Sequence, residues 1–405
     1  MADLMGYLKW RGDLTMAQAP FNEVDSLALA MITYADFTGI VPPEGTGKGI
    51  TLRAAVKAYF TRRVNEQKML DRAECCADRE ELLDAKPQRQ QDVRVLRLGV
   101  LLPGEIHKLM LKMATTPRFQ NVLLARYSCE LQEGGDTSKQ FSAVTFQWRD
   151  SGTGLFVSFR GTDDTLAGCR EDLNLSFMDE IPSQRRATQY LDALHHEGRL
   201  SERTRLYVGG HSKGGNLAVW SAVHTHPEVR ARIAHVYNHD GPGFSAALLA
   251  SDAYRELDGR ITTLVPQDSL VGLLLENDGK FQIVRSPQFG LYQHNGMRWA
   301  VEGPAFVRMR NLSRFGHSID TVTRGRIASM TAEERRTLTN LLFEVLESTG
   351  ARTLSELSED KLAHALTMAK TVNRYDPTTR KLLWDLLMKL FVSRPTPAPK
   401  ALPPR

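Results

Sequence analysis

The sequence lacks any apolar run long enough to cross a membrane. No uninterrupted stretch of about 18 apolar residues occurs, and the N-terminal segment Met1 to Gly6 contains an acid and leads into no sustained apolar run. Such a start does not resemble a secretory signal peptide. Together these absences predict a cytoplasmic protein without a transmembrane segment.

Cysteine is scarce, with four residues in a chain of 405. Cys75 and Cys76 are adjacent, while Cys129 and Cys169 stand apart, so the set matches neither a disulfide framework nor a metal-binding spacing. This usage favours a reducing compartment. No residue pattern predicts a cofactor or a metal ion.

Charge of one sign is not in large excess. The chain has 52 Lys and Arg residues against 47 Asp and Glu, for a net charge of +5, and the basic residues are spread along it. Because no basic stripe with interleaved aromatic residues occurs, the sequence argues against a nucleic acid as partner. The apolar fraction of 42% and the charged fraction of 24% are typical of a globular protein.

What the sequence does contain is a series of regions with different patterns. They predict an N-terminal helical extension over residues 1–90 that packs on the core, an α/β core over 91–325, a helical region over 326–392 and a disordered Pro-rich tail over 393–405. The length fits either two domains or one large domain with such additions.

Helical signals are clearest outside the core. Apolar periodicity predicts helices over residues 22–31 and 51–63, and a capping box at Thr331 predicts a helix that ends before Gly350. Residues 381–391 predict a strongly amphipathic helix. Such a helix packs against the rest of the protein or lies on a membrane surface, and we favour the first arrangement.

Strand signals fill the predicted core and alternate with helix-sized segments. They fall on residues 125–131, 141–148, 155–159, 205–208, 233–237, 261–265 and 281–284. Strands that alternate with helices form largely parallel sheets covered on both faces. The predicted fold class is therefore α/β.

One G-x-S-x-G motif stands between a strand and a helix. Gly210-His211-Ser212-Lys213-Gly214 follows the predicted strand 205–208 and precedes an apolar helical pattern over 215–223. In a nucleophile elbow, a tight strand-to-helix turn projects the serine hydroxyl above the sheet. Ser212 is therefore the candidate nucleophile.

A serine nucleophile needs a histidine base and a carboxylate that orients it. His294 comes shortly after the last predicted core strand and is the candidate base. Asp240 and Asp268 both follow predicted strands directly, so position leaves both open as the acid. Thr162, just after the strand 155–159, can offer a backbone N–H and a hydroxyl, and with the backbone N–H of Lys213 would form an oxyanion hole.

These motifs resemble those of known hydrolases. The segments Phe159–Thr162, Gly210–Gly215 and Asp268–Val271, with the pattern from His294 to Trp299, look like class 3 lipases. From about residue 5 to beyond residue 345, the chain resembles the bacterial Mbeg-like family of α/β-hydrolases. Segments 7–14, 20–25, 160–164, 211–218 and 240–244 carry that resemblance.

The resemblance implies an α/β-hydrolase fold in which Ser212 is the nucleophile, His294 the base and Asp268 the orienting acid, with Thr162 at the oxyanion hole. Chain position also favours Asp268, since it precedes the strand that leads to His294. Asp240 stands before Gly-Pro-Gly, in a turn where a carboxylate commonly accepts local backbone N–H bonds.

Two departures from class 3 lipases bear on the substrate. Lys213 replaces a usually apolar residue, so its side chain either favours anionic esters near the scissile group or points to solvent. Segment 163–183 carries six acids where those lipases have a lipid-sensing lid. This acidic segment argues against action on bulk fat and favours a smaller or partly polar ester.

The sequence thus predicts a serine ester hydrolase that acts through an acyl-enzyme on a small-molecule or lipid ester. The alternative is a catalytically idle hydrolase fold that serves as a protein-interaction module. Helical additions make up over a third of the chain and exceed what ester hydrolysis requires, which keeps this alternative open.

Overall fold

The computed structural model describes residues 2–75, 105–149, 152–269, 271–273, 275–276, 279–314, 316, 330–353, 356–357, 361–381 and 383–384. The predicted boundaries near residues 90 and 325 and the predicted tail at 393–405 lie outside these ranges. Most of the predicted amphipathic helix at 381–391 also lies outside them.

A mixed nine-stranded sheet forms the centre of the described chain. The strands are β1 (Ile50–Thr51), β2 (Leu123–Gln132), β3 (Lys139–Arg149), β4 (Thr153–Phe159), β5 (Thr204–His211), β6 (Ile233–His239), β7 (Ile261–Pro266), β8 (Gln282–Val284), β9 (Val301–Glu302), β10 (Ala305–Phe306) and β11 (Arg308–Met309). The sheet follows chain order from β1 to β8 and then adds β11, while β9 and β10 pair separately.

The middle of the sheet is parallel and its edges are antiparallel. Strands β4 to β8 run parallel, in the register Phe159 to Gly210 and His211 to His239. Strands β1 to β4 pair antiparallel at one edge, and β11 pairs antiparallel with β8 at the other. This confirms the predicted α/β class with a mostly parallel sheet.

Helices cover both faces of the sheet. In chain order they are α1 (Leu4–Arg11), α2 (Glu23–Ile32), α3 (Leu52–Cys75), α4 (Glu105–Met113), α5 (Leu166–Asn174), α6 (Pro182–His196), α7 (Lys213–His224), α8 (Pro227–Arg232), α9 (Ala246–Leu249), α10 (Asp252–Glu256), α11 (Ala332–Glu347) and α12 (Lys361–Val372). Successive residues of β4 serve the two faces, because strand side chains alternate. Phe156 packs with Leu27 of α2, and Val157 packs with Leu217 of α7.

The C-terminal helices form a third apolar cluster. Phe343 and Leu346 of α11 pack with Leu166 of α5 and with Leu383, which is buried. The capping box between Thr331 and Glu334 is confirmed, and the helix ends before Gly350 as predicted. Within the described part of the amphipathic segment, Leu383 thus packs against the protein.

A buried ion pair joins α2 to the connection between α4 and β2. The Arg118 guanidinium donates to both carboxylate oxygens of Asp25, through Nε at 2.7 Å and Nη2 at 2.5 Å, and both side chains are fully buried. Asp25 also accepts from the Tyr7 hydroxyl at 2.8 Å, and Arg118 donates to the Ala19 carbonyl. Hydrogen bonds therefore satisfy this pair on both sides, as a buried charge requires.

We expect Asp25→Asn to lower the free energy of unfolding by about 3–5 kcal/mol, because it leaves the Arg118 guanidinium buried without a counter-charge. Urea denaturation at neutral pH measures this loss. The matched control is Asp252→Asn, which breaks the Asp252–Arg255 pair at a carboxylate that is 98% exposed and should cost at most about 0.5 kcal/mol. Equal losses in the two variants would contradict the prediction.

Candidate active site

Ser212 occupies a strained turn between β5 and α7. Its backbone has φ 59° and ψ −135°, its N–H donates to the His239 carbonyl at 2.9 Å, and the first residue of α7 follows it. A non-glycine residue in the left-handed region is uncommon, and such strain concentrates at functional sites. The local geometry is therefore that of a nucleophile elbow.

The turn closes because glycines line it. A side chain at Gly214 would collide with the Phe159 carbonyl at the end of β4. A Cβ at Gly161, just beyond β4, would lie 2.9 Å from the Ser212 Cβ and 2.5 Å from the His211 carbonyl oxygen. The two glycines thus bring the end of β4 into direct contact with the elbow.

His294 reaches the elbow from the loop that follows β8. It ends the 3-10 turn Gly290–His294, and its ring lies 4.5 Å from the ring of His211, the neighbour of Ser212. Its Nδ1 lies 2.7 Å from Asp240 Oδ2, with His294 4% exposed and Asp240 fully buried. Because a carboxylate only accepts, Nδ1 carries the proton and Nε2 is the basic nitrogen.

The carboxylate at His294 is Asp240, and the prediction that Asp268 binds this histidine is wrong. Asp268 Oδ2 accepts from the Gly290 N–H at 3.2 Å and the Gln293 side chain at 3.0 Å, and Asp268 Oδ1 accepts from Ser313. Asp268 therefore anchors the loop that carries His294.

Strand order explains the correction. Asp240 follows β6, the strand that pairs with the elbow strand β5, whereas Asp268 follows β7, one strand further away. The loop after β8 folds back over the sheet and brings His294 to the end of β5 and β6. Asp240 also adopts a positive φ of 55°, so the chain turns at this residue and does not continue in the extended conformation of β6. Its second oxygen accepts from Ser269.

Thr162 directly follows Gly161, the residue whose Cβ would meet Ser212. Its hydroxyl donates to Asp172 Oδ2 at 2.6 Å, and Asp172 belongs to α5. The hydroxyl is thus held by a carboxylate, which fixes the turn and leaves the backbone N–H as the group of Thr162 to consider for an oxyanion hole.

The Lys213 side chain lies in the interior. The sequence hypotheses had directed it either to the substrate or to solvent. Its Nζ donates to Glu171 Oε2 at 2.9 Å and to both oxygens of Gln140, and neither Lys213 nor Glu171 is exposed. Burial alone would lower the pKa of the Lys213 ammonium, but the Glu171 and Asp172 carboxylates outweigh burial and raise it. The hypothesis of a solvated lysine is therefore wrong, and the ammonium that would attract an anionic ester is bound to Glu171.

Segment 163–183, the acidic segment that follows Thr162, is fixed to its surroundings. Glu171 accepts from the backbone N–H groups of Gln140 and Ser183 as well as from Lys213. On the outer side, Arg170 binds Glu347 of α11. Two of the acids that distinguish this segment thus hold the residues of the elbow and its neighbouring turn.

A cavity of about 500 Å³ adjoins the elbow helix. Asn216 and Trp220 of α7 line it, together with segments 175–179 and 243–246 and the first turn of α11. Ser212 and His294 do not line it, and Ser212 is 9% exposed.

Sequence reasoning missed two contributions to this site. It weighed Asp240 and rejected it, although the pairing of consecutive strands favours the acid after the strand next to the elbow. It gave no role to His211, whose Nε2 lies 2.7 Å from the His294 carbonyl oxygen. A histidine within the motif itself was the available signal.

None of the helices in the described part of the chain combines the length and the apolar character that crossing a bilayer requires. The same residues contain no group of three or more His, Cys, Asp or Glu side chains placed to hold a metal ion.

Comparison with known proteins places the site in a family. A family model described as Mbeg1-like matches residues 113–344, more than half of the chain, and this range contains Thr162, Ser212, Asp240 and His294. No curated protein matches the chain. A crystal structure of M37 lipase is similar, with a TM-score of 0.31 and 16% identity, over 42% of this chain and 63% of the lipase chain. The chain therefore matches less than two thirds of that lipase.

We expect Lys213→Met to lower the free energy of unfolding by about 3–5 kcal/mol at neutral pH, because it leaves the Glu171 carboxylate buried without a cation.

Urea denaturation at neutral pH tests this expectation. Glu171→Gln in the Lys213→Met background is the matched control, because it removes the unpaired buried charge and should recover part of the lost stability. A double variant that is no more stable than Lys213→Met would contradict the expectation.

Proposed function

The chain belongs to the Mbeg1-like family, and we propose that it is a serine hydrolase that cleaves a carboxylic ester through an acyl-enzyme. One arrangement supports the proposal: the strained residue Ser212 directly follows His211, whose ring lies 4.5 Å from the ring of His294, and His294 pairs with the buried Asp240. We further propose that the mixed α/β sheet is the α/β-hydrolase arrangement, with Ser212, Asp240 and His294 in that chain order.

In the proposed mechanism, Ser212 Oγ attacks the ester carbonyl carbon and His294 Nε2 takes the hydroxyl proton. Asp240 holds Nδ1–H and stabilises the imidazolium that forms. The tetrahedral intermediate collapses as His294 returns the proton to the leaving alcohol, which gives an acyl-serine. Water then attacks the acyl group by the same sequence, and the carboxylic acid leaves. The mechanism needs no cofactor.

The proposed oxyanion hole consists of the backbone N–H groups of Thr162 and Lys213. Lys213 is the first residue of α7, and the first N–H groups of a helix have no acceptor within it. The contact between Gly161 and the Ser212 Cβ supports the placement of Thr162 beside the same point. Two aligned donors would stabilise the negative oxygen of the tetrahedral intermediate.

The substrate is proposed as a class only. Because the Lys213 ammonium pairs with Glu171 in the interior, it gives no reason to favour anionic esters. A soluble or lipid ester with a carboxylic acyl group remains the proposed substrate. The catalytically idle interaction module is the competing proposal, and the same experiment separates the two.

We expect a fluorophosphonate probe to label the wild-type protein on Ser212 and to leave Ser212→Ala unlabelled. Loss of the nucleophile should also reduce ester turnover by several orders of magnitude. Mass spectrometry of the labelled peptide identifies the modified residue. Absence of labelling in a folded wild-type protein would favour the interaction module.

The choice between the two aspartates gives a second test. We expect Asp240→Asn to lower kcat by about 10⁴, because an amide no longer holds the tautomer of His294 that the reaction needs. Asp268→Asn is the matched control, since it changes the anchor of the same loop without touching the imidazole. It should keep most of its kcat and lower mainly the melting temperature. The reverse ranking of the two kcat values would overturn the role of Asp240.

A further inference from the structure

His211 connects the elbow to the main chain of the proposed base. Its Nε2 lies 2.7 Å from the carbonyl oxygen of His294, and a carbonyl oxygen only accepts. Nε2 therefore carries the proton, and Nδ1 is an acceptor. Burial and the neighbouring His294 ring lower the pKa of His211 well below its usual range, so the ring stays neutral.

The donor to His211 comes from the N-terminal helical region. Tyr34, two residues beyond α2, has its hydroxyl 3.0 Å from His211 Nδ1, and since Nδ1 accepts, the hydroxyl donates. Burial raises the pKa of the Tyr34 hydroxyl far above its ordinary value, so it remains a donor. The order of donation is thus fixed from Tyr34 through His211 to His294.

Tyr34 also contacts the turn proposed for the oxyanion hole. A Cβ on Gly161 would collide with this hydroxyl oxygen, so the hydroxyl contacts the turn directly. One hydroxyl thus touches the turn before Thr162 and the residue before Ser212. Through His211 it also reaches the main chain of His294.

A second residue of the N-terminal region makes a parallel contact. Ser26 Oγ of α2 lies 3.0 Å from His239 Nε2, and His239 directly precedes Asp240. His211 and His239 are register partners on β5 and β6. The N-terminal region therefore binds both histidines that precede a member of the proposed triad.

We propose that Tyr34 is a positioning residue, through which the N-terminal helical region holds the elbow, the oxyanion turn and the base in register. This inference rests on the proposed function. It gives the N-terminal region a part in the site, because the hydroxyl that connects the elbow, the turn after β4 and the loop of His294 comes from a segment that precedes β1 in the chain.

Tyr34→Phe tests the proposal, because it removes one hydroxyl and leaves the ring in place. We expect kcat for a small ester to fall on the order of tenfold with KM unchanged, and the rate of fluorophosphonate labelling to fall by a similar factor. A lost buried hydrogen bond that leaves its partner unsatisfied supports an effect of this size.

Tyr7→Phe is the matched control. It also removes a buried hydroxyl from the N-terminal region, where Tyr7 donates to Asp25, and it does not contact the proposed triad. We expect it to lower the melting temperature while kcat stays at the wild-type value. If Tyr34→Phe changes stability alone, as Tyr7→Phe should, its positioning role is overturned.

A measurement without substrate separates this inference from the proposed function. In ¹⁵N-histidine NMR spectra of the full chain, we expect His211 to stay protonated on Nε2 only, and its Nδ1 resonance to shift in Tyr34→Phe. An Nδ1–H tautomer would overturn the inference even in an active enzyme. An unlabelled wild-type protein with the expected spectrum would instead overturn the proposed function, and with it the catalytic purpose of the contact.

If Tyr34→Phe does not fold, His211→Gln provides the second variant, because its amide can donate to the His294 carbonyl in place of Nε2–H. His211→Ala cannot donate there. We expect the glutamine variant to keep at least tenfold more kcat than the alanine variant, and equal kcat values would overturn the proposal.

Discussion

The close approach of the β4 end to the strained Ser212 turn is the constraint on which the site depends. Gly161 and Gly214 permit it, because any side chain at these positions would meet the elbow or the end of β4. Once the approach is made, the N-terminus of α7 and the turn at Thr162 lie beside one serine. Such strain persists only where the surroundings hold it, and three independent sets of contacts do so here.

The surroundings hold the turn from different directions. From the α5 side, Glu171 binds Lys213 and Asp172 binds Thr162, so adjacent residues of one helix fix both sides of the elbow. From the N-terminal side, Tyr34 binds His211. From β6, the His239 carbonyl accepts the Ser212 N–H. Because these contacts come from separate parts of the chain, no single loop carries the geometry.

Local sequence patterns were sufficient to predict the strands and the tight turn at Ser212. They were insufficient to predict which carboxylate pairs with His294. The strands and the elbow follow from residues adjacent in sequence, such as the run from Arg205 to Gly214. The acid depends on which strand neighbours β5 and on how the loop to His294 returns, and neither is visible in the flanking residues of Asp240 or Asp268. The direction of Lys213 likewise depends on Glu171, which contributes from another helix.

The acids of segment 163–183 show that the composition of a segment alone does not reveal which of its charged side chains are buried. As a composition they indicated a segment too polar for a lipid-sensing lid, and the position of Lys213 next to Ser212 separately suggested a side chain that faces the substrate or solvent. In the structure Glu171 is fully buried, and its partners are one ammonium and two backbone N–H groups. A carboxylate with these partners anchors the surrounding structure, and the Lys213 ammonium is its counter-ion. Because the Lys213 ammonium is bound to Glu171, its charge stabilises the geometry of the elbow.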